Sequence, residues 1–169
     1  MSAKSYTFSE IFDSKATIKE LFAEFGFAYK TRRLKLPKSK DEDNQIRDIA
    51  EQIESRLARR LPRITLSSEV ARREFIVAHI LSELLDLIET KPDTIINVEY
   101  AVKATRLRGN VDYVLEGSTA VVVIEAKHDE IERGFRQLGA EMIGVAEQLN
   151  QSQLYGAVTT GHQWQFGLL

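Results

Sequence analysis

Cysteine is absent from this 169-residue chain. That excludes disulfides and any thiolate zinc site, and it suits a reducing compartment. No apolar run approaches the ~20 residues that a bilayer span needs. The start, Met1-Ser2-Ala3-Lys4-Ser5-Tyr6, has no apolar signal core behind it. The expectation is a cytoplasmic protein with no membrane partner. His79, His128 and His162 show no metal-ligand spacing. Internal repeats, low-complexity tracts, and the signatures of a helix-turn-helix or a zinc finger are all missing. A strong charge of one sign is missing too. The formal net charge is -2, so composition carries no global nucleic-acid signature.

What is present suits a soluble, folded chain. At 43% hydrophobic and 28% charged residues, its length allows one domain with a sizeable core. The distribution of charge says more than its sum. Lys30, Arg32, Arg33, Lys35, Lys38 and Lys40 form a run of six cations with no carboxylate among them. Arg56, Arg59, Arg60 and Arg63 follow, then Arg72 and Arg73. Such a series is either solvated surface or a face that binds phosphates.

Periodicity orders the chain. Residues 8 to 25 predict a helix whose apolar side is Ile11, Phe12, Ile18, Leu21, Phe22 and Phe25. The basic stretch around Pro37 reads as a loop. Residues 42 to 61 predict a second helix through Ile46, Ile49, Ile53 and Leu57, ended by Pro62. Ser67-Ser68 can cap a third, from Glu69 to Glu89, with Val70, Val77, Leu81, Leu84 and Ile88 as its stripe and Glu74 interrupting it. Ile95 to Lys103, Leu107 to Leu115 and Ala120 to Lys127 predict strands. The uninterrupted Val121-Val122-Val123-Ile124 run belongs at the centre of a sheet. A fourth helix is expected from Asp129, its cap, to Leu149. Strands at Leu154 to Thr159 and Gln163 to Leu168 complete the chain. A helix between the third and fourth strands implies a crossover with parallel pairing. The expected class is mixed α/β, with a helical, partly basic extension over residues 1–65 and the α/β unit over 66–169.

The chemistry concentrates at Asp112 and Glu125-Ala126-Lys127, on neighbouring strand-like segments. Alternation puts Glu125 and Lys127 on one side of their strand. Two carboxylates and an ammonium then meet at one spot. Carboxylates so placed repel unless a cation sits between them, and a hard divalent ion such as magnesium suits all-oxygen ligands. Each residue also has an ordinary structural explanation: a strand aspartate that pairs locally, or a glutamate and lysine exposed at a strand end.

The pattern resembles the PD-(D/E)XK nuclease superfamily. That family's core is a helix, a three-stranded meander, a helix and a further strand, matching residues 68 to about 160 of this chain. Asp112 and Glu125-Ala126-Lys127 fall on its motif, with Val111 where the family's name has proline. The chain is similar to the nuclease domains of type I restriction subunits. In those, an early helical glutamate resembles Glu69 in Glu69-Val70-Ala71-Arg72, and a following glutamine resembles Gln137 in Arg136-Gln137-Leu138. The closing Tyr155-Gly156-Ala157-Val158-Thr159-Thr160-Gly161 and Trp164-Gln165-Phe166 also look like the end of such domains. The first 65 residues match no family in this way.

The resemblance implies a restriction endonuclease-like fold and a nuclease active on phosphodiesters, DNA favoured over RNA. Asp112 and Glu125 would be magnesium ligands, with manganese a possible substitute. Lys127 would act on the water or the phosphate. Glu69 would help to hold the metal, with Glu74 its competitor. Gln137 would orient the site or touch the nucleic-acid backbone, and Glu141 stands four residues beyond it. A binding module on the same fold without cleavage, and a homodimer built through the N-terminal helices, are the other expectations.

Overall fold

Val121-Val122-Val123-Ile124 leaves no polar face for solvent. In a computed structural model this segment, β4 (Val121–Ala126), lies inside a six-stranded mixed sheet. The structure describes residues 4–35, 43–87, 93–118 and 120–169. The other strands are β1 (Tyr6–Thr7), β2 (Ile95–Lys103), β3 (Leu107–Glu116), β5 (Tyr155–Thr159) and β6 (Trp164–Leu168). Their order is β1-β3-β4-β5-β6, with β2 also on β3. β2 and β4 run antiparallel to β3, and β6 runs antiparallel to β5. β5 is parallel to β4 and is reached by the crossover helix α6 (Ile131–Leu149), as a helix between those strands requires.

One consequence of this topology positions the site. β2 occupies a whole edge of β3, from Arg108 to Glu116. A strand has two edges, so β1 and β4 share the other. β1 takes Leu107 and Arg108, and β4 takes Tyr113 to Glu116. Between them, residues 109–112 are left without a ladder partner on that edge. Asp112 stands in this fork.

Helices cover both faces. Leu138, Met142 and Val145 of α6 pack on Val114, Val123 and Val158. Phe8 and Ile11 of α1 (Phe8–Asp13), and Leu21 and Phe22 of α2 (Ile18–Glu24), join the same cluster. Each such buried side chain stabilises by about 1.5–3 kcal/mol, well above any helix propensity, so packing on the sheet holds these short helices. Residues 6–25, expected within the extension, thus give a strand and core side chains to the unit containing residues 95–169. On the opposite face, Val77 and Leu81 pack on Tyr113, Ile124, Ala126 and Ala157.

Four local expectations are corrected. Residues 8–25 form two helices rather than one. Thr7 with Glu10 and Thr17 with Glu20 make two capping boxes, and each starts its own helix. The third helix is not uniform. α4 (Glu69–Arg72) passes into a π-helical segment, Arg73–Val77, before α5 (Ala78–Leu87). The wider turn rotates the stripe, so Ile76 and Val77 are buried while Glu74 and Phe75 are exposed. Glu74 therefore has no buried partner to satisfy, and Val70, expected on the stripe, is exposed; Ile88 lies outside the described residues. α6 begins after Asp129, whose backbone carbonyl, not its side chain, accepts from the Ile131 N–H at 2.9 Å.

The expected second helix is α3 (Asp43–Arg60), followed by a 3-10 turn at Leu61–Arg63 that contains Pro62. Lys30, Arg32, Arg33 and Lys35 are exposed, whereas Pro37, Lys38 and Lys40 lie outside the described residues. Among the described residues no helix is long and apolar enough to cross a membrane.

Candidate functional site

Past the Tyr113–Ile124 pair, the β3–β4 ladder ends and the strands part. The Asp112 side chain fills the opening. Its Oδ2 accepts from the Ala126 backbone N–H at 2.8 Å. Its Oδ1 accepts from Arg73 Nη1 at 2.9 Å. Arg73 also bonds Glu99 and lies 3.7 Å from Glu74.

One residue back from Ala126, Glu125 turns toward α6. Its Oε1 accepts from Lys127 Nζ at 2.6 Å and from Gln137 Nε2 at 2.7 Å. The same Gln137 Nε2 donates to Glu141 Oε1 at 2.7 Å. Alternation brings Lys127 to the same side as Glu125. There its ammonium lies 3.7 Å from Glu69 Oε2 and 5.1 Å from the Phe12 ring centre. The lysine stem passes over Gly134, where a Cβ would come within 2.7 Å of Lys127 Cγ and 2.9 Å of Val158 Cγ2. Glycine in the second turn of α6 is what lets the stem lie there.

The network is buried to an unusual degree for its charge. Relative exposure is 3% at Glu125, 8% at Lys127, 8% at Gln137 and 0% at Glu141. Charged side chains are seldom buried so fully unless they are paired. Burial, and then the neighbouring Asp112, lift the Glu125 carboxyl to about 7, against the pull of Lys127. Burial, and then Glu125, hold the Glu141 carboxyl well above the usual carboxylate range. For Lys127, burial acts downward, but Glu125, Glu69 and Glu141 outweigh it and keep the amine charged.

A simple ion pair lowers its acid and raises its base. Here both move up: burial, and then Asp112, raise the Glu125 carboxyl, while against burial Glu125, Glu69 and Glu141 raise the Lys127 amine. For Arg73, burial also acts downward, and Asp112 and Glu99 overcome it.

This donor set fits a hard divalent cation. The charge excess is negative, and the donors are carboxylate oxygens. Glu125 Oε2 and Glu141 Oε2 are buried and accept no hydrogen bond, a costly state that a cation relieves. The carboxylates are not a finished cage, however. Among the described residues, no three acidic or histidine side chains converge as a ready metal site. Asp112 is turned to other partners, its two oxygens bonded by Arg73 and by the Ala126 N–H.

Of the residues expected from the sequence, Asp112, Glu125, Lys127 and Gln137 stand in one neighbourhood. Glu69 reaches it through Lys127. Glu74 does not, and lies in solvent beside Arg73. Gln137 turns inward to two carboxylates. His128 pairs with Asp129 at 3.3 Å, outside the network. Trp164 is half-buried and packs beneath the sheet with the Val77 cluster.

The structure adds Arg73 and Glu141. Glu141 had a signal, four residues beyond Gln137 on α6, but it read equally as an exposed polar flank. Arg73 had only its place in the basic series, because the π-helical segment that turns it toward Asp112 is a hydrogen-bond shift with no residue signature. Comparison with protein-family models, curated proteins and solved structures finds no match.

Proposed function

We propose that this chain is a metal-dependent nuclease that hydrolyses phosphodiester bonds, with DNA the favoured substrate, on a restriction endonuclease-like fold of the PD-(D/E)XK superfamily. The observation that carries the reading is the buried Glu125–Lys127 pair beside Asp112, with more carboxylate than cation around it. A divalent cation would take the place of the protons that otherwise neutralise the buried Glu125 and Glu141 carboxyls, and a phosphodiester site at neutral pH has use for both ion and amine.

Asp112 and Glu125 would hold magnesium or manganese, with Glu69 completing the carboxylate set. Bound there, the ion would supply Lewis acidity toward a phosphate oxygen and toward water. The protein's own part follows from its geometry. Lys127 stays protonated and is fixed by Glu125 on one side and Glu69 on the other. From that position it donates to the phosphate as negative charge develops. Gln137 holds the Glu125 carboxylate in place, and Glu141 in turn fixes the Gln137 amide, an arrangement in which supporting contacts orient the principal ligands. The exposed cations Lys30, Arg32, Arg33 and Lys35 offer contacts to the nucleic-acid backbone. The overall change is addition of water across a P–O bond, leaving a phosphomonoester and a free hydroxyl.

The Arg73–Asp112 contact favours a second reading, a nucleic-acid- or protein-binding module that keeps the fold without cutting. Supercoiled plasmid separates the two. The nuclease reading expects nicking that requires magnesium or manganese and disappears in Lys127→Ala. Binding that persists in chelator, with no nicking, supports the module instead.

A further inference from the structure

We infer that Arg73 is a phosphate-responsive latch on Asp112, releasing that carboxylate to a divalent cation when a phosphodiester takes over its guanidinium. The inference rests on the proposed nuclease reading. It goes beyond that reading by coupling two ligands through one side chain.

Three observations carry it. The first is placement. Arg73 opens the π-helical segment, and such segments are rare and cluster at functional sites. Its partner Glu99 sits at φ 52, a left-handed conformation seldom adopted by a residue other than glycine. Two uncommon backbone conformations thus deliver the middle and one end of the ion-pair chain Glu99–Arg73–Asp112.

The second is competition. Arg73 Nη1 takes Asp112 Oδ1 at 2.9 Å, and the other oxygen is bonded to the Ala126 N–H. A cation on Asp112 competes with the guanidinium, which holds Oδ1 and repels a second positive charge beside it. The third is an alternative partner. The Arg73 side chain is 22% exposed, so it opens to solvent next to the buried network. Its Nε carries no hydrogen bond, and neither does that of Arg72, whose Nη1 reaches the Thr160 carbonyl at 3.1 Å. The Arg73 Nε is buried and lies 3.7 Å from Glu74 Oε1, so the fork of two parallel bonds to a phosphate forms as the side chain turns outward from Asp112.

The coupling is reciprocal: phosphate that draws Arg73 away tightens the cation, and the cation frees Arg73 for phosphate. A phosphorothioate-backbone duplex oligonucleotide tests this, since it presents diester anions and resists cutting. Manganese affinity is measured by the loss of the free-ion paramagnetic resonance signal, with and without the duplex. Wild type is expected to bind manganese about tenfold tighter with the duplex, within the usual range of such couplings. Arg73→Gln is expected to bind it about tenfold tighter than wild type without the duplex, and to gain little more from adding it.

Arg73→Lys keeps the charge but loses the fork. Tight manganese binding by this variant too assigns the effect to the contact rather than to the field of a cation. It is also the milder change, so the test stays decisive where Arg73→Gln fails to fold. Unchanged or weaker manganese binding by folded Arg73 variants overturns the latch. Tight binding by those variants with no plasmid nicking by any form supports the latch and removes the nuclease. No manganese binding by any form removes both.

Discussion

Glu125→Gln exchanges a buried carboxylate for an amide of the same shape, and the structure sets the sign and size of the result. The residue is 3% exposed. Burial and then Asp112 raise its carboxyl from the ordinary 4.5 to about 7. Between those pH values the folded chain keeps a proton that the unfolded chain has released. The stabilisation is therefore complete below the lower value and is lost as pH rises through the upper one. At about 1.4 kcal/mol per pH unit, the loss is about 3 kcal/mol.

Glutamine has no charge to desolvate at any pH. Lys127 keeps the Glu69 carboxylate 3.7 Å away and the glutamine oxygen as an acceptor, so its ammonium is not stranded in the variant. Wild type and Glu125→Gln are expected to have equal stability near pH 4.5. At pH 8 without divalent metal, the variant is expected to be more stable by up to about 3 kcal/mol. Urea unfolding followed by far-ultraviolet circular dichroism, in chelator and across this pH range, measures the difference. A variant less stable than wild type at pH 8, or a gap that does not widen with pH, would refute the reasoning.

Other outcomes follow from the same geometry. Magnesium or manganese at pH 8 is expected to raise the Tm of wild type and to leave that of Glu125→Gln nearly unchanged, because the variant lacks one of the two principal carboxylate ligands. Gly134→Ala puts a Cβ within 2.7 Å of Lys127 Cγ. It should cost about 1–3 kcal/mol in denaturant melts, and it should lower nicking although every charged residue remains. Gln137→Ala leaves Glu125 and Glu141 facing each other without the amide between them. Nicking should fall roughly 10–100-fold, the usual cost of losing a supporting contact, and normal nicking by that variant would remove Gln137 from the site.

Much of the sheet was legible because its pattern is local. The Val121–Ile124 run, the periodicity of α6 and the turn residues between strands placed β2 to β6 within one or two residues of where they lie. β1 was not legible. Two residues become a strand only because β3 offers Leu107 and Arg108 as partners, a contact about a hundred positions away in the chain. The break between α1 and α2 was written in the sequence as two Thr-x-x-Glu boxes, at Thr7 and Thr17, but the apolar spacing across residues 8–25 hid it.

The interruption at Glu74 was visible but did not reveal the π-helical segment, and Arg73 read only as one member of a basic series. At the site, residue types could name Asp112, Glu125 and Lys127, since alternation brings them near one another. They could not show that Arg73 holds Asp112, or that Glu141 is fully buried, because both depend on the packing of distant elements.

In the proposed function, Asp112 and Glu125 share a divalent cation beside Lys127. Anomalous scattering from a crystal grown with manganese, recorded at the manganese absorption edge, tests it most directly. The expected result is a peak in contact with both carboxylates, with the Arg73 guanidinium moved off Asp112. A crystal with manganese bound elsewhere, and with Asp112 still held by Arg73 and Ala126, contradicts the account.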